Sequence, residues 1–171
     1  MTCDIAFFMH GFEWGGAQKR TIRLAAALAE AGLAVALLVA EDGGPLRAEV
    51  PPEVPVVDVG GRLAKLPWVR GKRRRRTRAA VPGLARWLRA ERPKLLVGAA
   101  NHSLLATIAA HRLAAEPGVK LALRVSNHLS GPGLSRWLRA IAVRRVFNRA
   151  DAVIAVAAAV AADLKPLHPG L

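Results

Sequence analysis

The chain has 171 residues, the length of one domain with a single core, and carries 26 Lys and Arg against 12 Asp and Glu for a net charge of +14. Its one cysteine, Cys3, excludes an internal disulfide and a cysteine-rich metal site, and fits a reducing compartment. Neither Leu24–Ala40, broken by Glu30 and Gly32, nor Ala152–Ala162 offers the ~20 unbroken apolar residues of a membrane-spanning helix. No targeting segment is recognised: Met1–Phe8 lacks a basic start, carries Asp4 and reads as a strand.

Short β-like runs alternate with amphipathic helical runs along the whole chain. Asp4–Met9 is an apolar strand ending at His10-Gly11, and Gly15-Gly16 opens a helix through Ala31 with Ile22, Ala25, Ala29 and Leu33 near one face. Gly32 stands just past that helix, where a glycine satisfies the last turn. Val35–Val39 is the second strand and Val56–Val59 a short third. A long basic connection follows, then a helix from about Arg78 to Arg92 stopped by Pro93. Leu95–Gly98 is the fourth strand, Ser103–Ala115 a helix and Leu121–Val125 the fifth strand. Gly131-Pro132-Gly133 breaks the chain before a helix over Leu134–Asn148; Ala152–Val156 is a sixth strand, and a last short helix runs to about Leu164.

Six strands with helical crossovers predict a single α/β domain: a Rossmann-like, doubly wound parallel sheet in three α/β/α layers. Such sheets bind ligands beyond the C-terminal strand ends where strand order reverses. An order of 3-2-1-4-5-6 places that crevice between strands one and four, rimmed by His10–Gly16 and Ala99–His102, with Ser126–His128 beside it.

The segment His10-Gly11-Phe12-Glu13-Trp14-Gly15-Gly16-Ala17 is the most informative local signal. Paired glycines at a helix start let the backbone approach a ligand and aim free N–H groups at oxygen or negative charge; they equally serve a tight strand-to-helix turn. The spacing is not the Gly-x-Gly-x-x-Gly of a dinucleotide site. Gly15-Gly16-Ala17-Gln18, with Leu24-Ala25, Leu28-Ala29, Gly32 and Val35, resembles the start of family 4 glycosyltransferases of the GT-B fold. Later pieces agree in order: Glu91-Arg92-Pro93, Asn101-His102, Ser126-Asn127-His128 and Arg149-Ala150-Asp151-Ala152-Val153-Ile154-Ala155-Val156. Gln18, Leu33 and Asn127 stand where that family more often has Glu, His and Glu.

The resemblance implies that residues 1–171 form the N-terminal, acceptor-binding half of a GT-B glycosyltransferase, with the C-terminal nucleotide-sugar-binding domain absent. It implies transfer of a hexosyl group from a nucleotide sugar to a lipid-linked or cell-envelope polysaccharide acceptor, by a retaining route. No metal or cofactor is expected, and the chain alone is expected to be inactive. His128 is the expected catalytic contact to the donor sugar, since an imidazole can hydrogen-bond hydroxyls in either protonation state; a plain surface-loop histidine before Gly131-Pro132 is the other reading. Glu13, Trp14, Gly15, Gly16, Asn101, His102, Ser126 and Asn127 are the expected substrate contacts, although Asn101 suits a helix cap equally well.

Positions 70–78 hold seven basic residues, Arg70, Lys72, Arg73, Arg74, Arg75, Arg76 and Arg78, with no acid between Asp58 and Glu91. Trp68 and Leu66 precede the run, Leu84 and Trp87 follow it, and the acid-free helix at Leu134–Asn148 adds Arg136, Trp137 and Arg139. Basic charge beside Trp and Leu suits an anionic bilayer, so a soluble cytoplasmic domain peripheral to the inner membrane face is expected. The competing reading is a non-catalytic Rossmann-like module that uses this face for nucleic acid or a protein partner; a solvated loop is the third.

Overall fold

A computed structural model describes residues 3–61, 73–128 and 136–166, and for 136–140 and 142 the backbone only. Six parallel strands, β1 (Ile5–Met9), β2 (Val35–Val39), β3 (Val56–Asp58), β4 (Leu95–Gly98), β5 (Lys120–Val125) and β6 (Ala152–Ala155), form one sheet in the order β3-β2-β1-β4-β5-β6. That is the expected doubly wound order, with its reversal between β1 and β4. Helices pack on both faces, so strand side chains alternate between two apolar clusters. Ala6, Phe8, Ala36, Leu38, Leu96, Leu121 and Leu123 face one cluster; Phe7, Met9, Leu37, Val39, Val97 and Ala122 face the other.

The second cluster is closed by α1 (Gly16–Glu30), through Ile22 and Ala25, and by Leu46 of the short turn Pro45–Glu49. The first is closed by α3 (Val81–Glu91), α4 (Leu104–Ala114), α5 (Arg136–Phe147) and α6 (Ala158–Leu164). Gly32 ends α1 as expected, at φ 86°, its N–H bonded to the Ala29 carbonyl and that of Leu33 to Leu28. No helix among the described residues is long and apolar enough to cross a membrane.

The basic segment departs from expectation. Arg73–Ala79 is a helix, α2, continuing almost directly into α3, where the sequence suggested a connection up to Arg78. Thr77 is buried, Arg73 pairs with Glu13 and Arg76 with Glu41, and Arg73, Arg74, Arg75 and Arg78 are exposed. Trp68, Arg70 and Lys72 lie outside the described residues, as do the side chains of Arg136, Trp137 and Arg139.

Candidate functional site

The loops after β1, β4 and β5 meet above the reversal point. The β1 loop is held against the β2 loop by backbone: Phe12 N–H bonds the Gly43 carbonyl at 3.0 Å and Leu46 N–H bonds the Phe12 carbonyl at 2.9 Å. Gly44 permits this approach, because a Cβ there would sit 2.5 Å from the Phe12 carbonyl and its φ is 118°. Phe12 is wholly buried beneath, which leaves Glu13 and Trp14 turned outward.

α2 straps the same loops from the side. His10 is buried, and its Nδ1 lies 3.0 Å from Thr77 Oγ1. Thr77 donates its own hydroxyl proton to the Arg73 carbonyl at 3.0 Å, so Nδ1–H of His10 is the donor to Thr77. Arg73 pairs with Glu13 at 3.2 Å and Arg76 with Glu41. Burial lowers the His10 pKa, opposed most strongly by Glu13. The His102 ring stands edge-on to His10 at 6.3 Å, and burial, then the charges of Arg73 and His10, pushes its pKa down to about 4. His102 is therefore a neutral imidazole at physiological pH.

Asn101 braces the β4 loop to the β5 loop. Its Oδ1 accepts from Ser126 N–H at 2.7 Å and its Nδ2 donates to the Asn127 carbonyl at 3.0 Å. It does not cap α4, whose capping position is Ser103. We expect Asn101→Ala to cost about 1–2 kcal/mol, since it frees a part-buried N–H and a carbonyl together. Asn101→Asp should recover only the Ser126 bond, and chemical denaturation of the two variants beside the parent chain measures the difference.

Between these loops lies an open cleft of about 410 Å³. Trp14, Gly15, Gly16, Asn101, His102, Ser126 and Asn127 all line it, as the sequence suggested. Ala17, Gln18, Arg20, Arg73 and Ala100 join them; the sequence had placed Ala100 on the rim, Ala17 and Gln18 in the glycine motif and Arg73 in the basic run, and had not marked Arg20. Gln18 is buried against Gly15, its Oε1 2.4 Å from where a Cβ on that glycine would stand, so a side chain there would displace the Gln18 amide. Gly16 has open space in that direction. Glu13 stands outside the lining, paired to Arg73, and His128 is exposed and does not line the cleft. Two buried polar atoms on lining residues, His102 Nε2 and Ser126 Oγ, have no hydrogen-bond partner among the described residues. Buried polar atoms are ordinarily paired, and these two are exceptions beside the cleft. Among the described residues no three His, Cys, Asp or Glu side chains converge as for a metal ion.

A family model of the glycosyl transferase 4-like domain matches residues 15–168, spanning the glycine pair, the cleft loops after β4 and β5 and the last strand. The chain belongs to that family. Its glycosyl transferase 4-like fold is also that of HepE from Anabaena, solved in complex with UDP, with a TM-score of 0.66 at 19% identity over 96% of this chain and 40% of that one. The lipopolysaccharide outer core galactosyltransferase WaaB, in its apo form, superposes with a TM-score of 0.64 at 14% identity, over 96% of this chain and 42% of its own. SnogD from Streptomyces nogalater gives 0.51 at 21%, over 90% and 43%. At such identities the likeness is one of fold, a Rossmann-like GT-B half, and the chain spans about two fifths of the length of these structures. No curated protein sequence matches it.

Proposed function

We propose that this domain holds the acceptor in a glycosyltransferase that moves a sugar from a nucleotide sugar to a hydroxyl of a lipid-linked or cell-envelope polysaccharide acceptor, the donor being bound by a second domain. The observation that carries this is the open cleft of about 410 Å³ at the switch point, lined by Trp14, Gly16, Asn101, His102 and Ser126 from the three loops. Polar, uncharged groups flanked by Trp14 and Arg73 suit a sugar face and its hydroxyls. Neutral His102 adds to this: with no charge of its own it accepts or donates to a hydroxyl according to its tautomer. The cleft is one-sided, so residues 1–171 alone should give no transfer, the reacting centre being open to water.

His128 is exposed in the loop after β5, and on this reading it meets the donor sugar. Joined to a nucleotide-sugar-binding half, His128→Ala should lower kcat at least tenfold with less effect on acceptor KM, because a contact to the sugar strengthens as transfer proceeds. Steady-state transfer to extracted envelope lipids and polysaccharides tests this, and unchanged turnover would return His128 to an ordinary surface loop.

The exposed side of α2 extends the reading to an anionic bilayer. Arg74 and Arg78 lie on that side, and replacing both with Ser should weaken binding to anionic vesicles by about 2 kcal/mol at low salt. Binding should fall as salt rises, with a Debye length of about 8 Å at physiological strength. Co-sedimentation with anionic and neutral vesicles, with duplex DNA as competitor, measures it. Equal binding to neutral lipid removes the electrostatic mechanism, and tight DNA binding alone would favour the nucleic-acid module.

A further inference from the structure

The sheet face that carries α1 has an unexplained charge. In β5 the residues turned to that face are Ala122 and Arg124, and Arg124 is only 5% exposed where the strand pattern calls for an aliphatic side chain. Its Nη1 donates to Thr21 Oγ1 of α1 at 2.9 Å, while Thr21 donates to the Ala17 carbonyl at 2.7 Å. No carboxylate forms an ion pair with Arg124 among the described residues. Burial, and then the charge of Arg20, lowers its pKa. A buried guanidinium without an anion is costly, and folds normally supply the counter-charge.

Arg124 and Arg20 open into a trough of about 410 Å³ between α1 and parts of β1, β4, β5 and β6 on which no other described helix packs. Its walls are aliphatic and aromatic, including Phe7, Leu28 and Val97, with Leu24 42% and Ile154 46% exposed along its rim. Among the described residues α1 is the one helix packed on this face. Arg20 lines the trough and also the cleft, so the two cavities adjoin at the first turns of α1. The lining therefore joins two cations, no acid and a long apolar wall, beside the place where an acceptor hydroxyl would sit.

We propose that this trough seats the anionic head and first methylenes of a lipid phosphate, with the phosphate on Arg20 and Arg124 and the chain along Phe7, Leu28 and Val97. The inference rests on the acceptor reading above and narrows it: the acceptor is a glycan or hydroxyl carried on a phosphorylated lipid, its glycan or hydroxyl in the cleft and its phosphate and chain in the trough. Charge complementarity favours the phosphate, and the apolar wall favours a chain over a free anion. The volume lies in the range of pockets that take small ligands.

Isothermal titration of the 171-residue chain with decyl phosphate, below its micelle concentration, tests the proposal. Saturable binding is expected, weakened roughly tenfold by shortening the chain to octyl phosphate, since each buried methylene contributes several-fold. Inorganic phosphate should bind at least a hundredfold more weakly than decyl phosphate. Arg20→Ala and Leu24→Glu, both at exposed positions, should each weaken decyl phosphate at least tenfold. They carry the test even if Arg124→Met fails to fold. Equal binding of decyltrimethylammonium, binding of inorganic phosphate as tight as decyl phosphate, or indifference to both exposed substitutions would overturn it. Loss of decyl phosphate binding once the chain is joined to a donor-binding half would assign the trough to a protein segment, which also overturns it. Failure of decyl phosphate to bind, with sugar transfer through the cleft intact, defeats the lipid seat alone and leaves the acceptor reading standing.

Discussion

Gly83→Ala should destabilise the domain by about 3 kcal/mol, although replacing a glycine inside a helix by alanine ordinarily stabilises it by about 1 kcal/mol. Gly83 lies in α3, where a Cβ would stand 2.0 Å from the Val59 carbonyl oxygen and 3.0 Å from its carbon. Both atoms are backbone at the end of β3, so neither can swing aside, and the helix must lift from the sheet or the strand must shift. Leu84, Ala85 and Leu88 of the same helix are fully buried, so a lifted α3 also opens the larger core. For a chain of this size the expected fall in Tm is roughly 10 °C. Gly118→Ala is the control: nothing lies within 4 Å of its Cβ position, and its Tm should stay unchanged. Thermal unfolding followed by circular dichroism reads both.

Acid should weaken the fold through His102 well before the carboxylates protonate. Its pKa is pushed from 6.5 down to about 4, first by burial, then by Arg73 and His10. Between those values the unfolded chain binds a proton that the folded chain refuses, so stability rises with pH. The full stability is present above about pH 6.5 and is lost as pH falls through about 4. His102 retains some exposure, which screens the effect, and we expect about 2 kcal/mol over that window. Burial lowers the His10 pKa too, in the same direction. Urea denaturation from pH 7 to 4.5 should show the slope in the parent chain and a shallower one in His102→Ala; parallel slopes would mean His102 titrates normally.

Much of this architecture is written in local pattern. The apolar runs of β1, β2 and β4 and the stop at Gly32 are short-range signals, and the strand order follows from the handedness of crossovers. The cleft was legible for the same reason: Gly15, Gly16, Asn101, His102 and Ser126 stand at C-terminal strand ends, which the topology gathers. The start of α2 was not legible. A helix is read from apolar residues at helical spacing, and the inward face of α2 is Arg73, Arg76 and Thr77, satisfied by Glu13, Glu41 and His10 from distant loops. An arginine run looks solvated until its partners are known. Arg124 did carry a signal, a charged residue at a core-facing position of a parallel strand, but its meaning depends on the missing counter-charge.

The central claim is that the acceptor occupies the cleft above β1, β4 and β5, and Gly16→Trp tests it most directly. Gly16 lines the cleft, has no positive φ, and has nothing within 4 Å of its Cβ position, so the indole fills the cleft without displacing the fold. With this domain joined to a donor-binding half, the variant should keep the parent Tm within about 2 °C, a stability change below about 1 kcal/mol. Its sugar transfer to extracted envelope acceptors should fall at least a hundredfold. Transfer at the parent rate by a folded Gly16→Trp enzyme would contradict the account.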